Sequence, residues 1–144
     1  MSKKTKKNQN DPANAFFLMV EKGIGHLFDL VFKKSPFKIF PRGEISRMWA
    51  EVEAMEPKMA IIEADKLVDT VLKRAGIKGE SMADRLRRSE KLVDRSIYQG
   101  MWEAHKVRNQ LVHEFDHGFD DARASEVLWK MKKFLVALGV FKDE

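Results

Sequence analysis

The residues best suited to chemistry in this chain are Arg108, Asn109 and His113, carried by the run Trp102-Glu-Ala-His-Lys-Val-Arg-Asn-Gln-Leu-Val-His113. A histidine with an ordinary pKa near ~6.5 can take a proton from a hydroxyl or return one to a leaving oxygen. An arginine presents a planar fork of donors that fits phosphate oxygens and stabilises the charge that grows on them. Asn109 can orient either partner. Together these residue types suit cleavage of a phosphodiester by the 2′-hydroxyl of RNA itself, without a metal.

The element that must position them is a helix from about Ser96 to Glu114. Ile97, Met101, Ala104, Val107, Leu111 and Val112 mark its core face. Tyr98, Trp102, His105, Asn109 and His113 fall on a neighbouring stripe about 80° wide at 100° per residue. A solvent face would favour Lys and Glu, whereas Tyr and Trp are enriched where surfaces are recognised. Arg108 projects near the apolar face, about 140° round the helix from His113. One helix therefore cannot aim both at one substrate unless its end unwinds near Asp116–Gly118 or a second copy supplies the missing partner. A two-fold interface would pool two arginines and two histidines in one cleft. Arg108 can instead pair with a carboxylate such as Glu63, Asp65 or Asp69, and Asn109 and His113 can cap loops. His105 and His117 read as structural or exposed rather than catalytic.

The surrounding segments predict an all-α domain, because apolar residues from Arg42 onward recur at three and four and never alternate in the period of a strand. A first helix spans Glu44 to Met55 with Ile45, Met48, Trp49 and Val52 inward. Pro57 opens a long second helix carrying Met59, Ala60, Ile62, Ala64, Leu67, Val68 and Val71, which stops at Gly76 with Ile77 packing back. Ser81 caps a third helix, Met82 to about Leu92, whose Arg85, Arg87, Arg88 and Lys91 form either a solvated face or a phosphate-contacting patch. Asp120-Asp121 begins a fifth helix with Val127, Leu128, Met131, Phe134, Leu135 and Leu138 inward. The expected fold is a four- to five-helix antiparallel bundle over 43–140.

The Arg-Asn-x-x-Val-His run, near the end of the penultimate helix of such a bundle, resembles the signature of the HEPN superfamily. The resemblance covers about residues 58–138. It implies a small helical bundle, roles for Arg108 and His113 in metal-independent RNA cleavage at a dimer interface, and toxin or defence systems that pair such a domain with an antitoxin protein. Many HEPN-like domains bind nucleotides or partners without cutting. Tyr98, Trp102, His105, Arg85 and Arg88 are the candidate contacts to RNA or a partner.

Composition narrows the alternatives. With 144 residues, the chain fits one domain plus extensions. It has no cysteine, which excludes disulfides and thiolate metal sites, and its four histidines, at 26, 105, 113 and 117, show no zinc spacing. No Gly-rich phosphate loop occurs, so no cofactor is expected. The net charge of +5 is unevenly placed. Residues 1–42 hold nine Lys/Arg against three Asp/Glu, a net +6, while residues 43–144 hold 18 against 19. The domain lacks the broad positive field of a general nucleic-acid binder, and any RNA site on it must be local.

The basic excess belongs to an N-terminal extension. Residues 1–11 read as a disordered basic tail and 12–34 as an amphipathic helix opened by Asp11-Pro12 and stopped by Ser35-Pro36. Its apolar arc carries Phe16, Phe17, Val20, Ile24, Leu27, Phe28 and Val31. Charged residues interrupt it too often for a membrane span of ~18 or more apolar residues. No small-residue cleavage site follows. It suits either an anionic membrane surface or the apolar face of its own domain or of a second subunit. Residues 35–42, with Phe37, Ile39 and Phe40 between Pro36 and Pro41, read as an extended linker. Two functions therefore stand: a homodimeric, cytoplasmic RNA-binding or RNA-cleaving domain, or a non-catalytic interaction domain held at the inner face of the membrane by its N-terminal helix.

Overall fold

Every described element is helical, because the apolar residues sit three and four apart and can be buried only as helix faces. A computed structural model describes residues 35–113 and 119–142. The expected N-terminal tail and amphipathic helix, and the break at Asp116–Gly118, lie outside the described residues. The chain divides between Ser35 and Pro36, and the following concerns the unit that begins at Pro36.

Five α-helices make up that unit among the described residues: α1 (Glu44–Glu53), α2 (Pro57–Arg74), α3 (Met82–Arg88), α4 (Arg95–His113) and α5 (Asp121–Leu138). The hub is α2, which touches each of the other four. Its position follows from its sequence: Ala60, Ile61, Ala64, Leu67, Val68, Val71 and Leu72 are all buried, a stripe too wide for a single neighbour. Pro57 stands in its first turn. At its end Gly76 takes a φ of 83°, and the Ile77 N–H donates to the Leu72 carbonyl at 3.0 Å, closing the helix as the sequence predicted.

The cap that the sequence names is also present: Ser81 Oγ accepts from the Asp84 N–H at 3.1 Å. At the start of α5 an Asp120 carboxylate oxygen likewise accepts from the Ala122 N–H at 3.0 Å. The third helix is shorter than expected. At Ser89, buried, the hydroxyl donates to the Leu86 carbonyl at 2.6 Å, and the chain continues as a separate 3-10 turn, Glu90–Leu92.

The long pair α4 and α5 packs side by side, burying Met101 and Ala104 against Val127, Met131, Phe134 and Leu135. Some expected inward residues lie outside: Met48 is 37% exposed, Met59 50% and Val112 44%. Each is at the margin of its helix's apolar stripe, where burial depends on a neighbour that the sequence alone does not place.

The segment before α1 differs most from expectation. Residues Pro36–Ile39 form a 3-10 helix, with Phe37 and Phe40 buried in the core. The reason is that one tight turn places two rings three residues apart on the same side. The Arg74 guanidinium lies 4.5 Å over the Phe40 ring while its fork holds Glu44 at 2.8 and 3.1 Å. Lys142 Nζ donates to the Lys38 and Phe40 carbonyls, tying the segment to the end of the chain. Burial of two phenylalanines contributes roughly 1.5–3 kcal/mol each. The stretch expected as a linker is therefore part of the domain. Among the described residues no helix is long and apolar enough to cross a membrane.

Candidate functional site

The centre of the site is a carboxylate buried in the middle of the bundle. Asp65 lies on the α2 face that meets α4 and is only 3% exposed. One of its oxygens is 2.8 Å from His105 Nδ1, and the other is 3.6 Å from Arg108 Nε. An ionised carboxylate at that depth is tolerated only with an opposite charge and hydrogen bonds to its oxygens. Arg108 supplies the charge and His105 the hydrogen bond.

The ring closes through Asn109. Arg108 Nη1 donates to the Asn109 side-chain oxygen at 3.0 Å, and the Asn109 amide nitrogen lies 3.4 Å from His105 Nε2. Donor and acceptor capacity assigns the histidine. The Asn109 amide can only donate to Nε2, so Nε2 is the acceptor nitrogen and Nδ1 carries the proton given to Asp65. The cycle therefore runs from Arg108 to Asn109, from Asn109 to His105, and from His105 to Asp65, with Arg108 again at the carboxylate. Helix geometry makes this possible, since His105, Arg108 and Asn109 occupy one turn of α4.

An aromatic shelf adjoins the cycle. The Trp102 ring meets His105 edge to face at 6.0 Å and Tyr98 at 6.3 Å. The Arg87 guanidinium, reaching from α3, lies 5.9 Å over Trp102 and also pairs with Asp84 at 2.6 Å. Arg87 and Arg88 are exposed, and Trp102 and Tyr98 are half-buried.

Several expected site residues are placed otherwise. His105 is 6% exposed and belongs to the interior, because the polar-aromatic stripe of α4 partly faces α2, with Arg87 of α3 reaching over Trp102, instead of solvent. It offers no contact to an RNA or protein surface. Arg85 is likewise committed inward: its side chain is 8% exposed, it grips Asp69 at 2.6 and 3.1 Å, and it donates to the Gly79 carbonyl. A side chain at Gly79 would set its Cβ 2.9 Å from the Arg85 backbone nitrogen, so glycine permits this close approach. The burial of Asp69 raises the pKa of its carboxyl, but the hydrogen bonds from Arg85 and Lys73 outweigh that and hold it below its ordinary value. Arg85 is thus a structural cation and is removed from the candidate RNA contacts.

His113 is the last residue of α4 and is exposed. Being five residues beyond Arg108, it is about 7.5 Å further along the axis and about 140° around it. One protomer does not bring the two together. Of the three carboxylates considered for Arg108, Asp65 is the one beside it; Asp69 serves Arg85, and Glu63 pairs with Lys66 at 2.6 Å. Among the described residues no group of three or more His, Asp or Glu side chains could hold a metal ion.

No protein-family model matches the chain, and no curated protein or solved structure matches it either. A separate cleft of about 300 Å³ between α4 and α5 is lined by Ile97, Gly100, Trp129 and Lys133. It lies toward the opposite end of α4, roughly ten to seventeen residues or about 15–26 Å along the axis from His113.

Proposed function

We propose that this protein is a HEPN-type domain that binds RNA and cleaves it without a metal, with Arg108, Asn109 and His113 as the working residues of a homodimer. One observation carries the reading: the Arg108 guanidinium is anchored on its inner side by Asp65 and Asn109 yet remains 27% exposed, on the same helix whose exposed last residue is His113. A fork so held meets a phosphate without first losing its own conformational freedom.

In the reaction the 2′-oxygen of a ribose attacks the adjacent phosphorus and loses its proton to a His113 imidazole. The bond from phosphorus to the 5′-oxygen breaks, and that oxygen takes a proton from a solvent water, whose hydroxide recovers the proton held by the same imidazolium. The products are a 2′,3′-cyclic phosphate and a 5′-hydroxyl. Arg108 stabilises the charge on the non-bridging oxygens through the transition state. Trp102, with Arg87 over its ring, offers a half-buried ring and an exposed cation to the RNA flanking the scissile bond, and Arg88 is a second exposed cation on the same helix as Arg87. A protein antitoxin would cover this same surface.

The test is incubation of the purified protein with mixed RNA in EDTA, beside Arg108→Ala and His113→Ala. Cleavage by the parent and loss in both variants is the expected result. Intact RNA with the parent protein removes the nuclease reading. The second reading, an interaction domain attached peripherally to the inner membrane face, is favoured by the +6 of residues 1–42 against the −1 of the remainder. Flotation with anionic liposomes, with and without residues 1–34, tests it; equal partitioning of the two forms rejects it.

A further inference from the structure

The buried cycle carries an inference about residues beyond Arg108, Asn109 and His113. We propose that Asp65 and His105 are positioning residues, which act through Arg108 and never touch the substrate. The kinetic part of this inference rests on the nuclease reading.

Three observations lead to it. First, Asp65 and His105 are too deeply buried to meet a ligand, with side chains 4% and 7% exposed. Second, their hydrogen bond serves no obvious packing need, since a carboxylate and an imidazole of this size could be replaced by apolar groups without leaving a charge in the interior. Third, Arg108 Nε is the single buried side-chain nitrogen or oxygen without a hydrogen-bond partner among the described residues, and it points at Asp65 from 3.6 Å. A buried donor left open beside a carboxylate is an ion pair one small rotation short of closure.

The consequence concerns the outer edge of Arg108. Of its five N–H groups, Nε faces Asp65 and one on Nη1 goes to Asn109. Three remain for phosphate oxygens: one on Nη1 and two on Nη2. His105 fixes which oxygen of Asp65 is free for Arg108, and Asn109 fixes the plane of the guanidinium, so the direction in which those three donors point is set from the interior. Arrival of a phosphate that pulls the guanidinium can close the gap at Nε or open it, but it cannot rotate the fork freely.

The experiment combines a spectroscopic and a kinetic measurement on the full chain. Side-chain ¹H–¹⁵N spectra locate the Arg108 Nε–H by its loss in Arg108→Lys. In the parent it should lie apart from the solvent-exposed arginines and exchange slowly. In Asp65→Asn and His105→Phe it should move to the exposed envelope and exchange fast. With mixed-sequence single-stranded RNA in EDTA, Asp65→Asn should lower kcat on the order of 10²-fold, as a misplaced group does, with KM little changed. If either buried variant fails to fold, the other carries both measurements, and Asn109→Ala, at the half-buried edge of the cycle, carries the spectroscopic one alone, because its kcat belongs to the proposed site itself. An unchanged Nε–H signal overturns the proposal, as does an unchanged kcat. Should the parent protein cleave no RNA, the nuclease reading falls by itself, and the Nε–H signal alone then decides whether the interior sets Arg108.

Discussion

Complementation between two inactive variants tests whether the site is shared between protomers. Within one chain, side-chain heads held ~7 Å from the α4 axis, 140° apart and 7.5 Å along it, are roughly 15 Å from each other. A single phosphodiester spans far less, so Arg108 and His113 of one protomer cannot serve the same bond. In a two-fold dimer, Arg108 of one copy faces His113 of the other. Each homodimer of Arg108→Ala or of His113→Ala is then inactive. A heterodimer of the two retains one complete site and loses the other. Equal mixing with free exchange makes half of the dimers mixed, each with one of its two sites complete, so about one quarter of the parent activity should return. The assay is RNA cleavage in EDTA, with the variants co-refolded or incubated below the concentration at which dimers persist. Active parent protein together with a mixture no better than either variant alone refutes the shared site. A monomer active in sedimentation-matched dilutions refutes it as well.

Other expectations concern the scaffold. Arg85→Ala should lower stability by about 3 kcal/mol, the low end for breaking a buried pair, because Lys73 remains 3.1 Å from Asp69. It should leave RNA affinity unchanged; an affinity loss without a loss of stability in denaturant titrations would return Arg85 to the binding surface. The same pair predicts a pH dependence. The Asp69 carboxyl titrates below its ordinary 3.8 in the folded protein, so its contribution is complete above that value and is lost as the pH falls through the lower, folded one. The gap in melting temperature between parent and Arg85→Ala should accordingly narrow in strong acid; a gap that widens there contradicts the assignment. Phe40→Ala should cost about 3–5 kcal/mol, whereas Ile39→Ala, at a side chain 59% exposed, should cost within about 0.5 kcal/mol. Equal, small effects in urea unfolding would mean that residues 36–42 are a linker after all.

The helices were legible because each is written locally. Pro57 opens α2, Gly76 ends it, Ser81 and Asp120 cap α3 and α5, and the spacing of Val127, Met131, Phe134 and Leu138 permits no other period. The 3-10 turn at Phe37–Phe40 was not legible, since two prolines around aromatic residues also describe an extended strand, and only the pocket beneath Arg74 and beside Lys142 selects the turn.

For the site, the sequence by itself determined the residue types on α4 and the angle between Arg108 and His113, because both follow from chemistry and from the pitch of one helix. It also offered Glu63, Asp65 and Asp69 of α2 as examples of carboxylates with which Arg108 could pair. Only the tertiary structure chose among them, since that depends on the rotation and depth of α2 against α4. The same packing turned Arg85 and His105 from apparent surface groups into interior ones: a helix wheel gives the direction of a side chain from its own axis, but not what stands in that direction. Asp65, buried beneath α4, and Asp69, held by α3, are what stand there.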